Sequence, residues 1–105
     1  MPFVAYDMSL ELIRELAPMV PLIKKHDRDL ADQLRRAASS VVLNISEGSG
    51  RAGGDRRRSF EIASGSAREV LAALDTSAAW GWTVPSDRAR DLLDQLLAML
   101  WRMTH

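Results

Sequence analysis

Apolar residues recur every three to four positions along almost the whole chain, and no run alternates with the period of two that a half-buried strand requires. The pattern predicts four helices. The first starts after Asp7 and carries Leu12, Ile13, Leu16, Met19, Val20 and Ile23 on one face. Pro18 and Pro21 interrupt it, each removing a backbone donor and crowding the preceding turn. The apolar phase continues past Pro18, so a kink is expected there rather than a stop.

The second helix is predicted from about Asp29 to Glu47, with Leu30, Leu34, Ala37, Ala38, Val41 and Ile45 inward. Asp27 or Asp29 can cap its start, and Gly48 suits a left-handed C-terminal residue. The third helix runs from Asp55, a candidate N-cap, to about Ala79, burying Phe60, Ala63, Ala67, Val70, Leu71 and Leu74. Gly81 and Pro85 mark a short connection. Ser86 then caps a fourth helix bearing Leu92, Leu93, Leu96, Leu97, Leu100 and Met103.

Helices of roughly 25–37 Å at 1.5 Å per residue, joined by short loops, predict an all-α fold: an antiparallel up-down four-helix bundle. The fourth helix is apolar around more than half its circumference. Leu93, Leu97, Leu100 and Trp101 cannot all enter one small core, so self-association is expected.

The 105 residues fit one domain, 1–105, with a modest core. Apolar residues at 47% and charged residues at 27% argue against a disordered chain. There is no cysteine, hence no disulfide or thiolate metal site, which fits a reducing compartment. Neither a signal sequence nor a membrane span is expected, and the reading is a cytoplasmic domain. Formal net charge is zero but unevenly spread. Residues 35–68 hold seven arginines against Glu47, Asp55 and Glu61, a local net of +4, and the remainder carries −4. A neutral total speaks against a generic nucleic-acid binder, while the cluster permits a local anionic partner.

Several motifs lose their superficial reading. Gly48-Ser49-Gly50-Arg51-Ala52-Gly53 spells G-x-G-x-x-G, but a helix precedes it where a dinucleotide fold needs a strand, so it reads as a turn between helices. Asn44-Ile45-Ser46 is a glycosylation sequon inside a helix and is read as silent. His26 and His105 have no partner at ligand spacing, so no metal residue is assigned. Trp80, Trp82 and Trp101 read as packing or interface anchors rather than stacking platforms.

Two constellations remain. Arg56, Arg57 and Arg58 open the third helix, where cations are unfavourable against the positive end of the dipole. They read either as a solvated face, with Arg57 pairing Glu61, or, with Arg35 and Arg51, as a contact for phosphate or a partner carboxylate. Arg36, Ser40, Asn44 and Glu47 form one polar stripe along the second helix, which Glu61 and Arg68 on the third could face. That stripe reads as a structural hydrogen-bonded network or a subunit interface. No nucleophile–base pair accompanies it, so no catalytic or cofactor-binding residue is assigned and the chain is read as a non-enzyme.

The stretch QLRRAASSVVLNISEGSGR, followed by FEIASGSAREV, resembles the 23S ribosomal RNA intervening-sequence proteins, relatives of the accessory variability proteins of diversity-generating retroelements. Arg35, Arg36, Asn44, Glu47, Gly48 and Arg51 match the central motif, and Ala63, Ser66 and Glu69 match the third-helix motif. About 40 residues resemble the family closely and the rest only in length and apolar pattern. The resemblance implies an up-down four-helix bundle assembling into a ring-shaped homopentamer. For the retroelement relatives it also implies binding to nucleic acid, RNA or DNA, and to a reverse transcriptase. Those relatives are markedly basic, whereas this chain is neutral. A ring would still gather five +4 clusters on one rim. The alternative is a structural protein–protein module without nucleic acid.

Overall fold

The computed structural model describes residues 2–105, with side chains from Val4 onward. It is all-α: among the described residues there are five helices and no strand. These are α1 (Pro2–Leu16), α2 (Met19–Lys24), α3 (Arg28–Ser49), α4 (Gly53–Ala79) and α5 (Asp87–Thr104).

The expected first helix is α1 plus α2. It begins at Pro2, earlier than Asp7, and Ala5 in the added stretch is fully buried, as is Ser9 one turn on. A proline is tolerated in a first turn because its missing N–H would lack a partner there anyway. The interruption falls at Pro18 as expected. Pro18 itself keeps right-handed helical angles (φ −71°, ψ −17°), and Leu12, Leu16, Met19 and Ile23 stay in phase and buried across the break.

Of the two candidate caps of α3, Asp27 is the one used: it is extended (φ −153°) and its carboxylate accepts from the Leu30 amide at 3.0 Å. The C-terminal expectation is corrected. Gly48 is an interior helical residue, and the helix ends at Gly50, whose φ of −94° is not left-handed. The N-cap of α4 also moves, from Asp55 to Ala52, leaving Asp55 in the first turn, where a carboxylate still meets the helix dipole favourably.

At the far end of α4 the Gly81 amide donates to Ala78 O (2.9 Å) and the Trp82 amide to Ser77 O (3.1 Å), with Gly81 left-handed at φ +84°. This is the paired bonding of a Schellman ending, and a Cβ would strain it. Ser86 is the N-cap of α5, but its hydroxyl accepts from Arg90 Nε (3.0 Å) rather than from a backbone amide.

α3 packs most extensively on α4, α4 on α5, and α1 on both α3 and α5, with α2 extending the contact to α3. Residue numbers rise on one helix as they fall on its partner. Gly48 meets Phe60 and Ser40 meets Ser66 between α3 and α4, while Asp75 pairs with Arg90 and Ser64 lies near Trp101 between α4 and α5. Neighbouring helices in these pairs are therefore antiparallel. At about 1.5 Å per residue, the 27 residues of α4 span nearly the full 42 Å long axis.

The core runs down the middle, from Leu12, Leu16 and Ile23 through Leu34, Val41 and Ile45 to Phe60, Val70, Leu92, Leu96 and Leu100. Leu93 and Leu100 are fully buried as well, so the apolar surplus of α5 is smaller than its pattern suggests. Trp101 is left 57% exposed. Among the described residues, Leu43 on α3 (66%) and Trp80 (69%) are the most exposed large apolar ones. Among the described residues no helix is long and apolar enough to cross a membrane.

Candidate functional site

The turn between α3 and α4 is three residues long, 50–52. It is made possible by Gly53 at φ +60°, a conformation that costs a side-chain-bearing residue roughly 1–2 kcal/mol. Four arginines surround it, and each is held differently. Arg51 Nε donates to Glu47 Oε1 at 2.9 Å, one helical turn back. Arg56 places its guanidinium carbon 4.9 Å from the centre of the Phe60 ring, a cation–π contact. Arg57 stands 3.7 Å from Glu61. Arg58 is exposed and has no ion pair among the described residues.

Both ion pairs are exposed on the helix surface, where such pairs contribute only a few tenths of a kcal/mol. Their arginines are therefore not locked against exchange for a stronger anion. Phosphate offers that exchange, because a guanidinium meets it with paired, charge-assisted donors. Phe60, fully buried, anchors the end of the turn by lying against Gly48.

Arg35 is on the other flank of α3, 4.0 Å from Asp32 and well separated from the turn in sequence. It lines a recess with Arg36, Ser39, Ser40, Leu43 and Asn44. The arginine candidates thus fall into two groups: Arg51, Arg56, Arg57 and Arg58 at one end of the molecule, and Arg35 partway along it.

The polar stripe is only partly a network. Asn44 Nδ2 donates to Ser40 O (2.9 Å) and to Ser40 Oγ (3.1 Å), and Ser66 Oγ on α4 donates to Ser40 Oγ at 2.8 Å. These three residues tie α3 to α4 at mid-length. Arg36 and Glu47 are exposed, with Glu47 occupied by Arg51. Glu61 and Arg68 do not face the stripe, a correction to the reading from spacing. They turn to the other side of α4 and line a hollow with Ser64, Trp101, Thr104 and His105 of α5. The periodicity of α4 fixed which residues share a flank but not which neighbour that flank meets. Ser66 is the residue that answers Ser40; its spacing from Ser59, Ala63 and Ala73, all small and buried, was the available signal.

The family assignment accords with this geometry. The family profile described as 23S rRNA-intervening sequence protein matches residues 3–102. The chain belongs to that family. No curated protein matches closely enough to add to it. The residues quoted above for the resemblance lie on the α3–turn–α4 hairpin, within the longer stretch that the profile matches. They serve recognisable local tasks: Gly48 admits Phe60, Ser66 bonds Ser40, and Glu47 holds Arg51 beside the turn.

Proposed function

We propose that this protein is a non-catalytic, self-associating up-down four-helix bundle that binds nucleic acid, or an RNA-handling protein partner, through the arginine turn. The observation carrying the reading is the turn itself: Arg51, Arg56, Arg57 and Arg58 cluster at one end, on a three-residue connection, with only weak surface pairs competing for them. Family membership supports an RNA context. A bundle is supported by the antiparallel neighbours described above, with α1 closing against both α3 and α5.

Self-association is supported by a groove between α1/α2 and α3. Ile13, Leu16, Ala17, Val20 and Pro21 line one wall, and Leu34, Ala38 and Ser39 the other, enclosing about 290 Å³. Exposed Leu43 continues it alongside Leu10 and Val42. The expected assembly is the ring of five implied by the family resemblance, with a mass five times the 11.7 kDa of one chain. The protein is expected to act in the cytoplasm.

The test is a titration of RNA and DNA at several salt concentrations. Each phosphate contact steepens the log–log slope by about 0.9 on duplex DNA and about 0.7 on single strands. An Arg56→Ala/Arg57→Ala/Arg58→Ala variant should bind more weakly with a shallower slope. A wild-type slope in that variant, or no binding at low salt, overturns the nucleic-acid reading. The same groove favours the second reading, a protein–protein module without nucleic acid, in which partner binding depends little on salt.

A further inference from the structure

At the end of the molecule opposite the arginine turn, three aromatic rings stand nearly parallel. His26, in the connection between α2 and α3, stacks on Trp82 with centroids 4.6 Å apart and planes 8° apart. Trp80 lies 6.3 Å from Trp82 at 13°. The Schellman ending of α4 creates this: left-handed Gly81 reverses the chain between the two tryptophans and sets their rings side by side rather than on opposite faces. Trp82 is half-buried, while Trp80 leaves most of its surface to solvent. Trp80 thus offers an exposed indole beside the parallel Trp82–His26 pair, so tryptophans read from the sequence as packing anchors are arranged as a stacking surface.

The uncommitted charge around it is mixed: exposed Asp29 and Asp87 lie in the first turns of α3 and α5, but the uncommitted residues nearest His26 in the chain are cationic. Lys24 and Lys25 immediately precede His26, and Arg28 opens α3; all three are exposed, and none has an ion pair among the described residues. Asp27, between them, has its carboxylate engaged by the Leu30 amide. Flat aromatic surface beside free cations is the pairing that single-stranded nucleic acids use: bases stack on the rings while phosphates meet the cations. A duplex keeps its bases stacked on one another and offers no free face to Trp80.

We infer that the Trp80–Trp82–His26 stack, flanked by Lys24 and Lys25, is a binding site for an unpaired nucleobase of RNA or DNA. It is separate from the arginine turn and sits at the other end of a 42 Å molecule. The site selects single strands, whereas the arginines read only phosphate charge.

The experiment uses the full chain with Trp101→Phe, so that emission comes from Trp80 and Trp82 alone. Short oligouridylate and oligothymidylate strands are titrated, then a duplex of matching length. The expected result is quenching by single strands, with ribose or deoxyribose preference naming the natural source, and much weaker quenching by duplex. Trp80→Ala should weaken single-strand binding by about fivefold to a hundredfold, read by fluorescence anisotropy of a labelled strand, while Trp80→Phe retains most of it. Because Trp80 is exposed, both variants should keep the wild-type helical circular dichroism and melting temperature. Arg56→Ala/Arg57→Ala/Arg58→Ala should keep the single-strand quench, which separates this site from the turn. Equal quenching by duplex, unchanged binding in Trp80→Ala, or an emission change that follows protein concentration without nucleic acid overturns the inference; the last would assign the stack to a contact between chains.

Discussion

Gly48 on α3 lies directly against the ring of Phe60 on α4: a Cβ built at residue 48 would stand 2.6 Å from Cε1 and 2.8 Å from Cδ1. Phe60 has no exposed surface, so its ring has nowhere to retreat. Gly48→Ala therefore sets about 1 kcal/mol of improved helix propensity against an overpacking cost of about 1–3 kcal/mol. The expected outcome is a net loss of up to about 2 kcal/mol in urea denaturation. Adding Phe60→Leu should recover part of that loss, whereas additive losses would show that the contact is not the cause.

Ser40 receives hydrogen bonds from both Asn44 and Ser66. Ser40→Ala strips Ser66, a buried residue, of its partner and should cost about 1–2 kcal/mol. Ser66→Ala should cost less, because Ser40 keeps Asn44. A double-mutant cycle should return a coupling energy above about 0.5 kcal/mol; strict additivity would count against the bond.

Arg56 and Arg58 stand two positions apart with different surroundings, and their variants should separate. Arg58 makes no ion pair among the described residues, so Arg58→Ala should leave the melting temperature unchanged and, under the proposed function, reduce the salt slope of nucleic-acid binding by about one contact. Arg56→Ala also removes the cation over the buried Phe60 ring, and because Arg56 is itself partly buried the contact is worth about 0.5–2 kcal/mol. Thermal melts run beside the binding titrations distinguish the two.

Leu43→Glu places a charge on the exposed lip of the α1–α3 groove without touching the core. If that groove is covered by another chain, sedimentation should shift from the assembly to the mass of one chain with the helical signal intact. An unchanged assembly would move the contact elsewhere.

Much of the fold is legible in the sequence because helix periodicity is a local property. The α3 and α5 faces read directly from their leucine spacing, and Pro18 announces the break in the first helix by its chemistry alone. Gly48 is the instructive misreading. A glycine near a helix end looks like a left-handed cap, and only the approach of Phe60 from another helix reveals that the missing side chain is what matters. Glu61 and Arg68 were misplaced for a related reason: spacing fixes their flank on α4, while the rotation of α4 against α3 and α5 decides which neighbour they meet. The stack of His26 on Trp82 joins residues 56 positions apart through two turns, a pairing that no local pattern encodes.

The short α3–α4 connection also bears on how the chain acquires its structure. Closing a three-residue link costs little chain entropy, and the surfaces it brings together are the most extensively packed in the molecule. Residues 28–79 are thus the natural nucleus, a helical hairpin assembled from contacts near in sequence, onto which α1 and α5 condense later. Substitutions at Gly48, Ser40 or Ser66 should then slow refolding, while those in α5 should chiefly hasten unfolding. The hairpin that carries the arginine turn would be the first part of each molecule to exist.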